Sequence, residues 1–147
     1  MISVQQEDFD VGLEYQKLRL NSQNEGAIVF FSGLVRDMNA DGKVQSMLIE
    51  HYPGMTEKVL TNIANEAKGR WDLQQLQIIH RVGRLQAADQ IVFVATTSKH
   101  REDAFKACQF IMDFLKTQAP FWKKEISDEV GQWVEAKSSD QKKLADW

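Results

Sequence analysis

Two stretches of the chain carry apolar residues at spacings of three and four, and they limit what it can fold into more than any other feature. Val59, Leu60, Ile63, Ala64 and Ala67 mark one face of a long helix. Ala104, Ala107, Cys108, Ile111, Met112 and Leu115 mark the buried face of a second. The runs around them are short and rich in β-branched and aromatic residues. The apolar run 27–35, AIVFFSGLV, suits a well-buried strand. Further strands are expected at 2–5, in VQSMLIEHY, and at 76–82, 90–97, 121–126 and 132–136, with a modest helix over about 8–18 that uses Phe9, Leu13 and Tyr15 as apolar contacts. Strands interrupted by two long helices indicate an α+β domain.

Local signals set the expected joints. Asn39-Ala40-Asp41-Gly42 is a turn sequence, which predicts a hairpin between the 27–35 strand and VQSMLIEHY. Pro53-Gly54 ends that strand and Thr56 is placed to cap the next helix. A loop containing Gly83 separates the 76–82 and 90–97 strands. Ser98 is expected as the cap of the second long helix, with Glu102 and Asp103 complementing its dipole. Pro120 disfavours helical geometry at Ala119, so this helix should stop near Thr117 or Gln118. All 147 residues fit a single domain, with 138–147 as a mobile or partner-dependent tail.

Composition narrows the function. A formal net charge of -3 lacks the footprint of a general nucleic-acid binder. Cys108 is the sole cysteine, which excludes an internal disulfide and fits a reducing cytoplasmic setting. MISVQQEDFD carries acids where a signal peptide needs a basic region, and no apolar run approaches the roughly 18 residues that span a bilayer. No membrane association is expected.

Phosphate-loop, dinucleotide, zinc-protease and nucleophile-elbow motifs are absent. His51, His80 and His100 stand far apart, with no neighbour at metal-ligand spacing, so no metal site is expected. Cys108 on an apolar helix stripe reads as an inert core thiol. What remains is a set of cations. Arg36 ends an apolar strand. His100 and Arg101 fall in the first turn of a helix, whose free N–H groups favour an anion, although on composition alone a solvated helix start is the favoured reading. Lys116 and Lys123 bracket the corner Ala119-Pro120-Phe121-Trp122. They either complement the end of the helix or share a partly dry pocket, where like charge lowers a lysine's pKa. His51 and Tyr52 read as a structural corner before Pro53. His80 and Arg81 end a strand, at the core edge or on a rim. The residues alone thus describe an anion-binding α+β domain with a possible lysine site.

Several separated motifs add a resemblance. Gly33-Leu34-Val35-Arg36, Glu50-His51-Tyr52-Pro53-Gly54-Met55, His80-Arg81-Val82-Gly83, Ser98-Lys99-His100-Arg101, Ala104-Phe105 and FIMDFLKTQAPFWKKE follow in this order over about 26–136. Together they are similar to the large, catalytic subunit of molybdopterin synthase. The resemblance implies an α/β-hammerhead fold with a mixed or antiparallel sheet and two long helices. It implies a sulfurtransferase that makes the dithiolene of molybdopterin in molybdenum cofactor biosynthesis. Its substrate would be cyclic pyranopterin monophosphate. Its sulfur would come from a C-terminal Gly-Gly thiocarboxylate on a small ubiquitin-like subunit. Two large subunits would form a central homodimer within a heterotetramer.

By motif, Lys116 and Lys123 match that family's catalytic lysines. Arg36, His100 and Arg101 match its anion-binding residues, with His100 and Arg101 supplied by the neighbouring large subunit. Phe121 and Trp122 are candidates for the groove that takes the partner's tail, and Phe110 and Met112 fit either groove or core. Two departures stand out. Ala88 replaces a glycine common among relatives, and Lys137 replaces an arginine, keeping the charge without the bidentate fork. No bound cofactor is implied. The alternative is a dimeric anion-binding module that docks the small subunit without chemistry.

Overall fold

The Asp10 carboxylate accepts the Leu13 amide at 3.1 Å and so starts the first helix, α1 (Val11–Leu20), after strand β1 (Ile2–Gln5). Strands β2 (Ala27–Leu34) and β3 (Ser46–His51) precede the long helix α2 (Met55–Arg70). Then come β4 (Gln75–Arg81), β5 (Gly83–Gln86), β6 (Gln90–Ser98) and the second long helix α3 (Arg101–Thr117). Strands β7 (Phe121–Ser127) and β8 (Val130–Val134) lead to a short helix, α4 (Ser138–Ala145). The structure, a computed structural model, describes residues 1–36, 46–127, 130–134 and 138–147.

The strands form two four-stranded sheets, β1-β4-β6-β2 and β5-β3-β7-β8. Among the described residues, only β1 with β4 is a parallel pair; the other pairings are antiparallel. This is the α+β class with mixed and antiparallel sheets and two long helices. The main core lies between the sheets and the two long helices. It joins Leu60, Ile63 and Ala67 of α2 to Ile111 and Leu115 of α3, and to Ile78, Val94 and Ile49 of the strands. Alternation along β4 and β6 turns Ile79, Phe93 and Ala95 to the other face of the first sheet, where Phe9 and Leu18 cover them.

Several expectations are corrected. The 27–35 run is an edge strand rather than a well-buried one, and leaves Phe30, Phe31 and Leu34 exposed. The hairpin between β2 and β3 does not form. The two lie in different sheets, β2 pairing with β6 and β3 with β5 and β7. The turn sequence 39–42 itself falls outside the described residues. Leu13 and Tyr15 are exposed because α1 turns its Leu18 side to the sheet. Thr56 does not cap α2. Met55 begins the helix, the Gly54 amide is taken by the Glu57 carboxylate at 2.6 Å, and Thr56 is fully buried. Its hydroxyl oxygen accepts the Tyr52 amide at 3.1 Å, which makes 51–56 the structural corner expected.

Ser98 is likewise the last residue of β6 and not a cap. It is buried, its hydroxyl donates to the Asp72 carbonyl at 2.7 Å, and His100 occupies the cap position. Gly83 opens a strand instead of lying in a loop. Its φ of 90° turns the chain out of β4 in one sheet and into β5 in the other. Residues 138–147 are seated on the body. The Trp147 ring packs edge-on against Trp71 and Phe110, its indole N–H donates to Asp113, and its carbonyl accepts from Arg70 at 3.1 Å.

Candidate active site

A cavity of about 570 Å³ opens where the two sheets meet the end of α3. Each sheet contributes for a local reason. Strand β2 shifts register between Gly33 and Leu34, just before Val35 and Arg36, which both line the cavity. A Cβ at Gly33 would come within 2.8 Å of Val92 Cγ1, so glycine permits the close approach of β2 to β6 here. Helix α3 stops at Thr117 and brings Lys116 in its last turn to the cavity wall. Alternation along β7 then sends Phe121 and Lys123 inward and Trp122 outward.

Arg36, Lys116, Lys123 and Phe121 therefore meet around one cavity, and Met112 joins them. Trp122 does not: it lies outside, with its ring edge-on to Tyr52 at 4.4 Å. Phe110 is fully buried in the core against Trp71 and Phe114. His100 and Arg101 are exposed at the far end of β6. Six residue steps of β6, from Val92 at the cavity to Ser98, separate them from it by roughly 20 Å. Lys137 falls outside the described residues.

The cavity lining gathers three basic side chains, Arg36, Lys116 and Lys123, and the carboxylate of Asp140. Burial, and then the charge of Lys116, push the Lys123 ammonium down to about 8, while Asp140 of α4 opposes the shift. An ammonium with this pKa gives up and regains a proton near neutral pH. Cys108 takes no part. It is buried, its thiol points at the Val94 carbonyl, and burial raises its pKa to about 11. Among the described residues, no three His, Cys, Asp or Glu gather as a metal site, and no helix is long and apolar enough to cross a membrane.

His80 is a cavity residue whose role the sequence did not reveal. It is 5% exposed, stacks on Phe121 with ring centroids 3.7 Å apart, and faces the same space as Lys116 and Lys123. Burial, with the charges of Lys123, Lys116 and His51, lowers its pKa to about 3, so the imidazole is neutral. The HRVG motif gave its address without its use. Ser139 and Asp140 also reach the cavity, on a helix that the sequence did not predict.

Comparison with known proteins agrees on one family. Residues 4–118 match the family model described as MoaE protein. A molybdopterin synthase catalytic subunit from Vibrio cholerae is 51% identical over 146 residues, covering 99% of this chain and 97% of that protein. A molybdopterin biosynthesis MoaE protein from Burkholderia ambifaria superposes with a TM-score of 0.86 at 50% identity, over all of this chain and 97% of the other. The crystal structure of molybdopterin synthase from Staphylococcus aureus gives a TM-score of 0.81 at 32% identity, over 90% of this chain and 95% of that one.

Proposed function

The chain belongs to the MoaE protein family of molybdopterin synthase catalytic subunits, and on that premise we propose that its lysine cavity joins sulfur to a phosphorylated pterin. The observation that carries the reading is the convergence of Arg36, Lys116 and Lys123 on one partly dry cavity. A pterin phosphate and a thiocarboxylate are both anions. Their meeting in one pocket needs several cations to offset the repulsion. Arg36 offers a planar fork suited to phosphate. Lys116 at the mouth orients the thiocarboxylate of a small ubiquitin-like subunit and assists proton transfer. Lys123, deeper, holds the negative charge that develops on cyclic pyranopterin monophosphate. Phe121 forms part of the wall along which the partner's tail enters, and Trp122 would meet that partner only outside the cavity.

A second copy of the chain belongs to this reading. Within one chain, His100 and Arg101 stand at the start of β2, because the Gly26 amide donates to Ser98 at 3.0 Å, while the cavity stands at the end of β2. Strand β2 is an edge strand with exposed Phe30, Phe31 and Leu34. Antiparallel pairing of two such edges about a two-fold axis would set the start of one β2 beside the end of the other. His100 and Arg101 of each copy would then complete the cation set of its neighbour.

The test is reconstitution with a thiocarboxylated small subunit and cyclic pyranopterin monophosphate, assayed for dithiolene product. Lys116→Ala is expected to lose at least about a hundredfold in rate while keeping its fold. Product from the wild type and none from the variant supports the assignment. Full activity in the variant removes Lys116 from the chemistry. A stable complex that yields no product, even with the wild type, would favour the non-catalytic docking module.

A further inference from the structure

The cavity's cations account for how anions are held but not for how the neutral part of a ligand is oriented. In their charged forms Arg36, Lys116 and Lys123 are donors only. Thr117 has turned its hydroxyl back to the Asp113 carbonyl at 3.0 Å. Ser139 and Asp140 of α4 also offer oxygens to the cavity, and the one ring acceptor among its described lining residues is His80, whose geometry is constrained on three sides. One ring face is covered by Phe121 at an interplanar angle of 14°. Nδ1 lies 2.8 Å from the Arg81 carbonyl oxygen, which can only accept, so Nδ1 carries the proton. The backbone of β4, paired with both β1 and β6, fixes where the ring stands. Nε2 is left with a lone pair and no hydrogen-bond partner among the described residues, on a side chain that lines the cavity.

We infer that His80 Nε2 is a specificity-determining acceptor for one N–H or O–H donor on the heterocycle of the ligand that the cations bind. The inference rests on the reading of the cavity as a pterin phosphate site. Charge then selects the anionic ends of the substrate, and His80 selects which way round the ring lies. The role needs the imidazole to stay neutral beside the ammonium groups of Lys116 and Lys123, and its buried setting keeps it so. A protonated ring would present a second donor and repel the same ligand atom. An apolar ring of equal size would keep the contact with Phe121 and lose the selection. Loss of the acceptor leaves a buried donor of the ligand unpaired, and should weaken pterin binding by about 10- to 100-fold.

Two measurements test this. In wild-type protein with nitrogen-15-labelled histidine, the His80 Nε2 resonance should be that of an unprotonated nitrogen, and should move when cyclic pyranopterin monophosphate is added. Inorganic phosphate alone should leave it in place. Next, His80→Phe should raise KM for the pterin by about 10- to 100-fold with kcat within a few-fold, while its affinity for the thiocarboxylated small subunit stays near wild type. His80→Gln, which returns an acceptor oxygen near the Nε2 position, should recover most of the lost affinity. If the wild type binds no pterin, the cavity reading itself falls. If it binds with an unmoved Nε2 resonance, or if His80→Phe binds as tightly as the wild type, the role of His80 is overturned and the cavity reading stands.

Discussion

Lys123 is held in its site at a cost to stability, and the cost has a direction in pH. Its folded pKa, near 8, lies below the ordinary lysine range, so between those values the unfolded chain binds more protons than the folded one. Stability should therefore rise with pH across that window, and the full penalty is present below it. Lys123→Met is expected to abolish product formation yet raise the melting temperature at pH 7 by roughly 3–6 °C, since relief of about 1–2 kcal/mol shifts a domain of this size by that much. The gain should shrink by pH 10, and a variant less stable than wild type at pH 7 would show that the ammonium is not penalised. Ala88 carries a second local cost, in the backbone. Its φ of 72° lies in the left-handed region, held by its amide's bond to the Val35 carbonyl at 2.8 Å. Ala88→Gly should gain about 0.5–1 kcal/mol in denaturant melts without changing activity. The sequence marked this position only through the expected glycine; the strain became visible with the dihedral.

The two long helices were legible because burial there follows a period. Leu60, Ile63, Ala64 and Ala67, and Ala104 through Leu115, are buried on the faces their spacing marks. The end of α3 at Thr117 was readable from Pro120 for a steric reason. The sheets were less legible. A strand's period of two says which residues share a face but not which strand lies alongside, so AIVFFSGLV gave a strand without revealing that it forms an edge. Strand β5 has four residues and no pattern to detect, and α4 owes its position to Trp147, whose partners Trp71, Phe110 and Asp113 are distant in sequence. The site divides in the same way. The lysines and Arg36 were found by motif, whereas His80 needed the stacking on Phe121 to be seen. The edge β2 carries its own prediction. A charge on an exposed edge blocks strand pairing, so Phe31→Lys should shift the mass in solution from dimer to monomer, as read by light scattering. Activity should fall with the dimer fraction, and a fully dimeric variant would locate the interface elsewhere.

At the level of the assembly, a site shared between copies has a signature that no single chain can give. Lys123→Ala and the double substitution His100→Ala, Arg101→Ala should each be inactive alone. Mixed in equal amounts and allowed to exchange, they should recover about one quarter of wild-type activity, because half the dimers are mixed and each mixed dimer holds one intact site. No recovery would assign both sets of residues to a single copy. The division of labour inside one copy follows from the two sheets. Lys116 rides on the helix packed against one sheet and Lys123 belongs to the other, and one of the chain's crossings between the sheets is made at Gly83, whose φ only glycine adopts freely. The two ammonium groups thus sit on the two jaws of a calliper, one carried by each sheet. A methyl group added at Gly83 would meet no neighbour closer than 3.6 Å, so its cost would fall on the backbone dihedral of that crossing and leave both jaws whole.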